Sequence, residues 1–338
     1  MRIAITSAFP PSIGGIESVA ELIAYEFVSA GHKVEVVASN VGPQPAHDAL
    51  SFPVHYQPAA WKKAAIYARS DCILQFGFGL KALGPNLVAL KPVVVSHQGI
   101  YNPGDSATRV VDRMKNSFAH FFTNVAASHA VARNLPPGTE VIPNCYDPGS
   151  FNLNVEPLPG DRRDIVCVAR LVRDKGVDIL LDALALLRAK GITATATVVG
   201  EGPERSRLSD QATRLGLKDW VIFAGAKKRD QVAAEYRRHR VAVIPSRYEE
   251  AFGIVALEAI ASGCHVVASE RGGLPEAVGP CGVLFDPSRP GNLAEILATV
   301  LRDESGIRCA AKAAIDHLAR HSPAVAARHY LGILKAIL

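Results

Sequence analysis

Short runs of apolar, mostly β-branched residues alternate along the chain with longer stretches whose apolar positions recur every three or four residues. RIAIT (2–6), KVEVVAS (33–39), CILQF (72–76) and PVVVSH (92–97) read as strands, with a helix over about 16–30 after the first. A loop rich in Pro, Asn and Gly spans 143–164, and the alternation then restarts. Strands follow at 164–170, 195–200, 221–225, 241–246 and 265–269, with helices at 176–190, 204–216, 229–238 and from about 253. Strands this short and apolar belong in parallel sheets covered by helices on both faces. The pattern therefore predicts an α/β chain of two doubly wound, Rossmann-like domains, 1–150 and 151–321, with a last helix opened by Ser322 as N-cap and Pro323 at its first position. Ligands of such sheets bind beyond the carboxyl ends of the strands, so two facing domains would form a cleft.

Composition narrows the choice of function. The 338 residues are 49% hydrophobic and 20% charged, with a net charge of +5. That excess is too small and too dispersed for a nucleic-acid groove, though it suits a few cations aimed at phosphates. No apolar run reaches the roughly 18 residues of a membrane-spanning helix, and Met1 leads directly into a strand, which implies a cytoplasmic protein without a cleaved signal. The six cysteines lie far apart with no CxxC or Cys/His spacing suited to zinc, so free thiols and no metal are expected.

Four candidate motifs lie at strand ends. Gly14 and Gly15 sit between the first strand and helix, where bare backbone near a helix N-terminus favours an anion; an ordinary tight turn explains them equally well. Arg170 and Lys175 leave a strand and enter a helix start, placed to bind a diphosphate together or to be two solvated cations. Gly200 and Gly202 mark another strand-to-helix turn and the edge of the expected cleft, with structural punctuation the simpler account. His97 ends an apolar strand, a place for either a packed histidine or one facing a ligand.

The fifth motif is RYEEAFGIVALEAIASG, 247–263, in which Glu250 and Glu258 stand eight residues apart in an apolar run. Were the whole interval helical, it would rise about 12 Å, roughly the reach of a nucleotide diphosphate sugar from ribose to hexose. Carboxylates at both ends suit vicinal hydroxyls, and the helix start at Phe252, Gly253 and Ile254 suits the phosphates between them. The plainer alternative is a helix-start acid and a solvated helix acid, although Glu258 has Leu257, Ala259 and Ile260 beside it.

In this order the motifs PPSIGGIE, VIPNCYD, VARLVRDKGVDIL, VVGEGPE, VIFAG, VIPSRYEEAFGIVALEAIASG and GGLPEAV resemble the retaining glycosyltransferases of family 4, which have the GT-B fold. The resemblance implies that Gly15 contacts the donor diphosphate, that Arg170 and Lys175 neutralise it as leaving group, that Glu250 binds sugar hydroxyls and Glu258 the ribose, and that His97 lies beside the reacting sugar. It also implies a closing helix that crosses back to the N-terminal domain. The chain departs from the family at Ala251, where Pro is common, and at Cys145, where a Gly usually follows Pro-Asn; neither alters charge.

The expected activity is transfer of a sugar from a UDP- or GDP-sugar to a glycan or lipid-linked acceptor, without metal or other cofactor. A nucleotide-sugar epimerase and a non-catalytic nucleotide-sugar binding protein use comparable scaffolds and remain alternatives. The stretch 108–122 has Val110, Met114, Phe118 and Phe121 at helical spacing with Arg109, Arg113 and Lys115 nearby. Such a helix either rests peripherally on an anionic membrane, at its inner face, or docks on its own sheet.

Overall fold

The computed structural model describes residues 1–11, 14–42, 50–79, 90–101, 109–153, 163–302 and 304–338. They fall into two compact units, residues 1–146 with 321–338, and 147–320. The chain thus changes unit after Tyr146 and Arg320, where the sequence reading places the changes after 150 and 321.

The first unit holds β1 (Arg2–Ser7), β2 (Lys33–Ala38), β3 (Val54–Tyr56), β4 (Cys72–Phe76), β5 (Val93–His97), β6 (Thr123–Ala126) and β7 (Glu140–Val141). They form a parallel sheet ordered β3-β2-β1-β4-β5-β6-β7. β1 beyond Arg2 and all of β4 are buried because both faces are covered, and the Gly15–Ser29 helix buries Val19, Ile23 and Phe27. The helix Pro323–Ala336 belongs to this unit: the Tyr330 hydroxyl pairs with Ser96 Oγ at 2.7 Å, and its ring meets Phe76 edge-on at 5.6 Å. β3, β6, β7 and the helices Ala60–Arg69 and His129–Ala132 are additional to the elements read from sequence.

The second unit holds β8 (Arg163–Val168), β9 (Ala196–Val199), β10 (Val221–Gly225), β11 (His239–Ile244), β12 (His265–Ser269) and β13 (Gly282–Phe285). Their parallel order, β10-β9-β8-β11-β12-β13, is that of a Rossmann sheet. Its core packs Leu180, Leu184 and Leu187 of the helix Val177–Ala189 against Ile165, Cys167 and Val243. The strand order reverses between β8 and β11, so the loops leaving these two strands flank the switch point where such sheets bind ligands. β11 ends at Ile244 rather than Ser246, and β8 at Val168 rather than Arg170, so both residues belong to those loops.

The helix read over 108–122 spans Arg109–Ala119. Phe118 packs against the first unit's core, whereas Met114 and Phe121 are exposed. The side chains of Arg109 and Val110 lie outside the described residues, as do Ser12 and Ile13 of the glycine turn. Cys145 is buried, and among the described residues left-handed backbone outside glycine occurs at Gln57 and Leu90, so Cys145 replaces the family's glycine without such strain.

Candidate active site

In the second unit the loop after β8 carries Arg170, a single 3₁₀ turn at Arg173–Lys175 and the start of the next helix at Val177. The loop after β11 carries Ser246, Arg247, Tyr248 and Glu250. Arg247 docks one loop on the other. Its N–H donates to the Asp174 carbonyl at 2.8 Å, and its guanidinium forks onto the Asp178 carboxylate, with one arm at 2.7 Å. Burial alone would raise the Asp178 carboxyl, but the Arg247 hydrogen bond and charge hold it below the usual carboxylate range. Gly272 clamps the other side. Its φ is 56°, and a β-carbon there would stand 2.1 Å from the Glu250 carbonyl oxygen, so only glycine permits the approach.

This docking brings Lys175 to Glu250. Lys175 Nζ and Ser246 Oγ each donate to Glu250 Oε1 at 2.6 Å, and the Tyr248 hydroxyl donates to Oε2 at 2.6 Å. Lys175 also donates to the Tyr248 hydroxyl at 3.2 Å. Burial and the neighbouring Glu250 push the Tyr248 phenol far up, which keeps it a donor. Glu250 is 7% exposed, so its charge is held by three protein donors rather than by water. The Arg170 side chain contrasts with it, being exposed and having no hydrogen-bond or ion-pair partner among the described residues.

The Ile254–Ala261 helix starts after Gly253, whose φ of 102° places it against Leu274. Glu250 therefore lies ahead of the helix and Glu258 inside it, and the interval between them is not helical throughout. The Phe252 side chain is buried in the core at 1% exposure, so only its backbone is offered to a ligand. The N–H groups opening the helix at Ile254 have no partner within the helix itself and favour an anion. Glu258 is set deep but keeps partial solvent access, and its carboxyl has no hydrogen-bond partner among the described residues. Burial pushes it up to about 7, with Arg229 opposing and Asp147 adding to the rise. Arg229 is held at 3.0 Å by Asp147.

Gly200 and Gly202 lie close against neighbouring backbone. A β-carbon on Gly200 would lie 1.9 Å from the Ala169 carbonyl oxygen, and one on Gly202 2.4 Å from that of Leu171. The Gly200 amide is bonded to Gly225 O at 2.9 Å. The two glycines let this turn lie against the backbone that carries Arg170, the structural role that the sequence reading put first.

A family model described as glycosyl transferases group 1 matches residues 150–316. Through this segment the chain is similar to that family. GDP-mannose-dependent alpha-(1-6)-phosphatidylinositol monomannoside mannosyltransferase of Mycolicibacterium smegmatis is 28% identical over 88% of this chain and 88% of its own. The like-named enzyme of Mycobacterium tuberculosis is 32% identical over 59% of this chain and 53% of its own. Among solved structures, Anabaena HepE in complex with UDP shares 25% identity at a TM-score of 0.81, covering 99% of this chain and 100% of that one.

Of the candidate residues, Arg170, Lys175, Glu250, Gly253, Ile254 and Glu258 fall in the second unit, on the loops and helix just described. Gly14, Gly15 and His97 fall in the first. Gly14 has extended backbone and caps the helix that Gly15 begins. His97 is fully buried: one ring nitrogen meets the Tyr101 hydroxyl at 2.8 Å and the other Asn124 Oδ1 at 2.8 Å. Asn124 Nδ2 donates to the Ala119 and Phe122 carbonyls, so its Oδ1 accepts from His97 Nε2–H, and Nδ1 accepts from Tyr101. Burial lowers His97 to about 4. Both nitrogens are thus committed to the protein, and the sequence expectation of a catalytic histidine finds no open ring nitrogen here. Sequence reasoning missed Ser246 and Tyr248, whose only signal is that they are the hydroxyl residues preceding Glu250 within its own motif.

Proposed function

We propose that the chain is a retaining glycosyltransferase that binds a UDP- or GDP-sugar at the second unit and transfers its sugar to a hydroxyl of a glycan or lipid-linked acceptor. The observation that carries this reading is Glu258, a deep carboxyl with solvent access, no hydrogen-bond partner among the described residues and a pKa of about 7, which suits a ribose diol. Arg170 then takes most of the diphosphate charge. Two of the three Lys175 donors go to Glu250 and Tyr248, which leaves one for a phosphate oxygen. Glu250, oriented by its three donors, meets the sugar. As the sugar–phosphate bond breaks, negative charge grows where Arg170 and Lys175 point, and the departing phosphate takes the proton of a hydroxyl approaching on the same face, which retains configuration. The two side-chain cations serve where another enzyme uses a metal, and no cofactor enters this scheme.

The relatives support the donor class without choosing its base, one being named for GDP-mannose and a neighbour being solved with UDP. The named acceptor of the mycobacterial relative is phosphatidylinositol monomannoside, which favours a lipid-linked acceptor here too. A peripheral membrane contact through exposed Met114, Phe121 and Arg113 fits that acceptor, and sedimentation with anionic liposomes tests it. The primary test is thermal stabilisation by UDP-glucose and GDP-mannose, followed by incubation of the stabilising donor with acceptor and NMR of the product's anomeric proton. Stabilisation by neither donor, an inverted product, or an epimerised donor without acceptor would each sink the reading.

A further inference from the structure

A carboxylate offers about four acceptor positions, two on each oxygen. On Glu250, Oε1 is filled by Lys175 and Ser246, and Oε2 takes the Tyr248 phenol, which leaves a single open position. Gripping two neighbouring hydroxyls of a sugar ring takes two positions, so one protein donor has to leave. The three donors differ in what leaving costs. Ser246 is 1% exposed, and its hydroxyl would be stranded without water. Lys175 would abandon a charge partner whose side chain is itself buried. Tyr248 is 39% exposed, and water can replace its bond.

We propose that Tyr248 is a specificity-determining residue: its hydroxyl holds the second acceptor position on Glu250 Oε2 and is displaced by a donor sugar presenting two neighbouring hydroxyls. The inference rests on the reading of the second unit as a nucleotide-sugar site. Breaking the phenol bond weakens binding of the sugar-bearing ligand and leaves the bare nucleoside diphosphate, which does not reach Glu250, unaffected. A sugar with a lone hydroxyl at that place uses the open position and displaces nothing. Tyr248 thereby sets how strongly the site distinguishes the two kinds of donor.

The test is calorimetric titration of wild type and Tyr248→Phe with UDP, UDP-glucose, GDP and GDP-mannose. For whichever pair binds, the ratio of nucleoside diphosphate Kd to nucleotide sugar Kd should rise about three- to tenfold in the variant, the span of one partly exposed hydrogen bond. The Lys175 donor freed by the substitution acts on both ligands of a pair and so cancels in the ratio. Tyr248→Leu, which also removes the phenol, must shift the ratio in the same direction. A ratio that stays put or falls means that the phenol remains bonded while the sugar binds, and the proposal is overturned. Bare diphosphate binding with a normal ratio in the variants defeats this inference alone, whereas no binding of any of the four to wild type defeats the site reading and this inference together.

Discussion

Lys175 Nζ lies 2.6 Å from Glu250 Oε1, although 75 positions of sequence separate the two residues. The lysine is therefore both a cation near the expected diphosphate and the charge partner of the acid beside the expected sugar. Lys175→Ala removes both functions and leaves Glu250 buried with its charge uncompensated. Sugar transfer should fall at least tenfold, about 1.4 kcal/mol of transition-state stabilisation, in steady-state assays. Turnover within about threefold of wild type would take the lysine out of the mechanism.

Arg170→Ala acts on one term only. The side chain is exposed and has no protein partner among the described residues, so the melting temperature should stay near that of wild type. Binding of UDP or GDP should weaken by about tenfold, the scale of one charge-assisted contact to phosphate. Titration calorimetry beside a thermal melt separates the two effects.

Glu258 gives a pH dependence with a definite sign. Its carboxyl stands at about 7 in the folded chain against an ordinary 4.5, so between these values the folded chain holds more protons than the unfolded one. The corresponding stability is present in acid and is lost as pH rises through that window. Glu258→Gln should raise the melting temperature at pH 8 more than at pH 5. Nucleotide affinity should move the opposite way in wild type, strengthening from pH 6 to pH 8 as the carboxylate forms, and this trend should vanish in Glu258→Gln.

His97 titrates in the reverse sense. Burial holds it at about 4, below its usual 6.5, so the unfolded chain takes up the proton first as pH falls. Its contribution to stability is full above about 6.5 and is lost toward 4. Melting curves from pH 7 to pH 4.5 should show a smaller acid loss in His97→Gln than in wild type. The pH profile of transfer above pH 6 should be the same in both, since His97 is already neutral there.

Gly200→Ala should destabilise the second unit by at least about 2 kcal/mol, because φ is 139° and the new methyl meets the Ala169 carbonyl at 1.9 Å. Gly191→Ala, with φ of 72° and nothing within 4 Å of the new methyl, should cost only about 1 kcal/mol. Urea unfolding of the two variants checks the difference. Nucleotide binding should weaken in the first alone, through movement of the backbone that carries Arg170.

The parallel sheets were legible because strands such as β4 and β12 are buried from end to end and hold short apolar runs, Cys72–Leu74 and Val266–Ala268. The spacing of Glu250 and Glu258 was legible for a related reason: acids stand out in an otherwise apolar run. β3 and β7 were not, since three and two residues are too few for any period to register. The Lys175–Glu250 contact follows from β8 and β11 being neighbours, which is a property of strand order and not of local sequence. Gly200 and Gly202 admitted two readings because a glycine needed for approach by backbone has the same sequence signature as one needed for approach by a ligand.

The helix Pro323–Ala336, which sets Tyr330 against Ser96 and Phe76, also bears on the order in which the protein is made. Residues 147–320 form one uninterrupted stretch, so the second unit has all its residues on hand as soon as Arg320 has been added. Residues 1–146 are translated earlier yet must wait for 321–338, and until then the partners of Tyr330 stay uncovered. A chain stopped at Arg320 would carry a complete second unit and an unfinished first. The unit that is begun first is completed last.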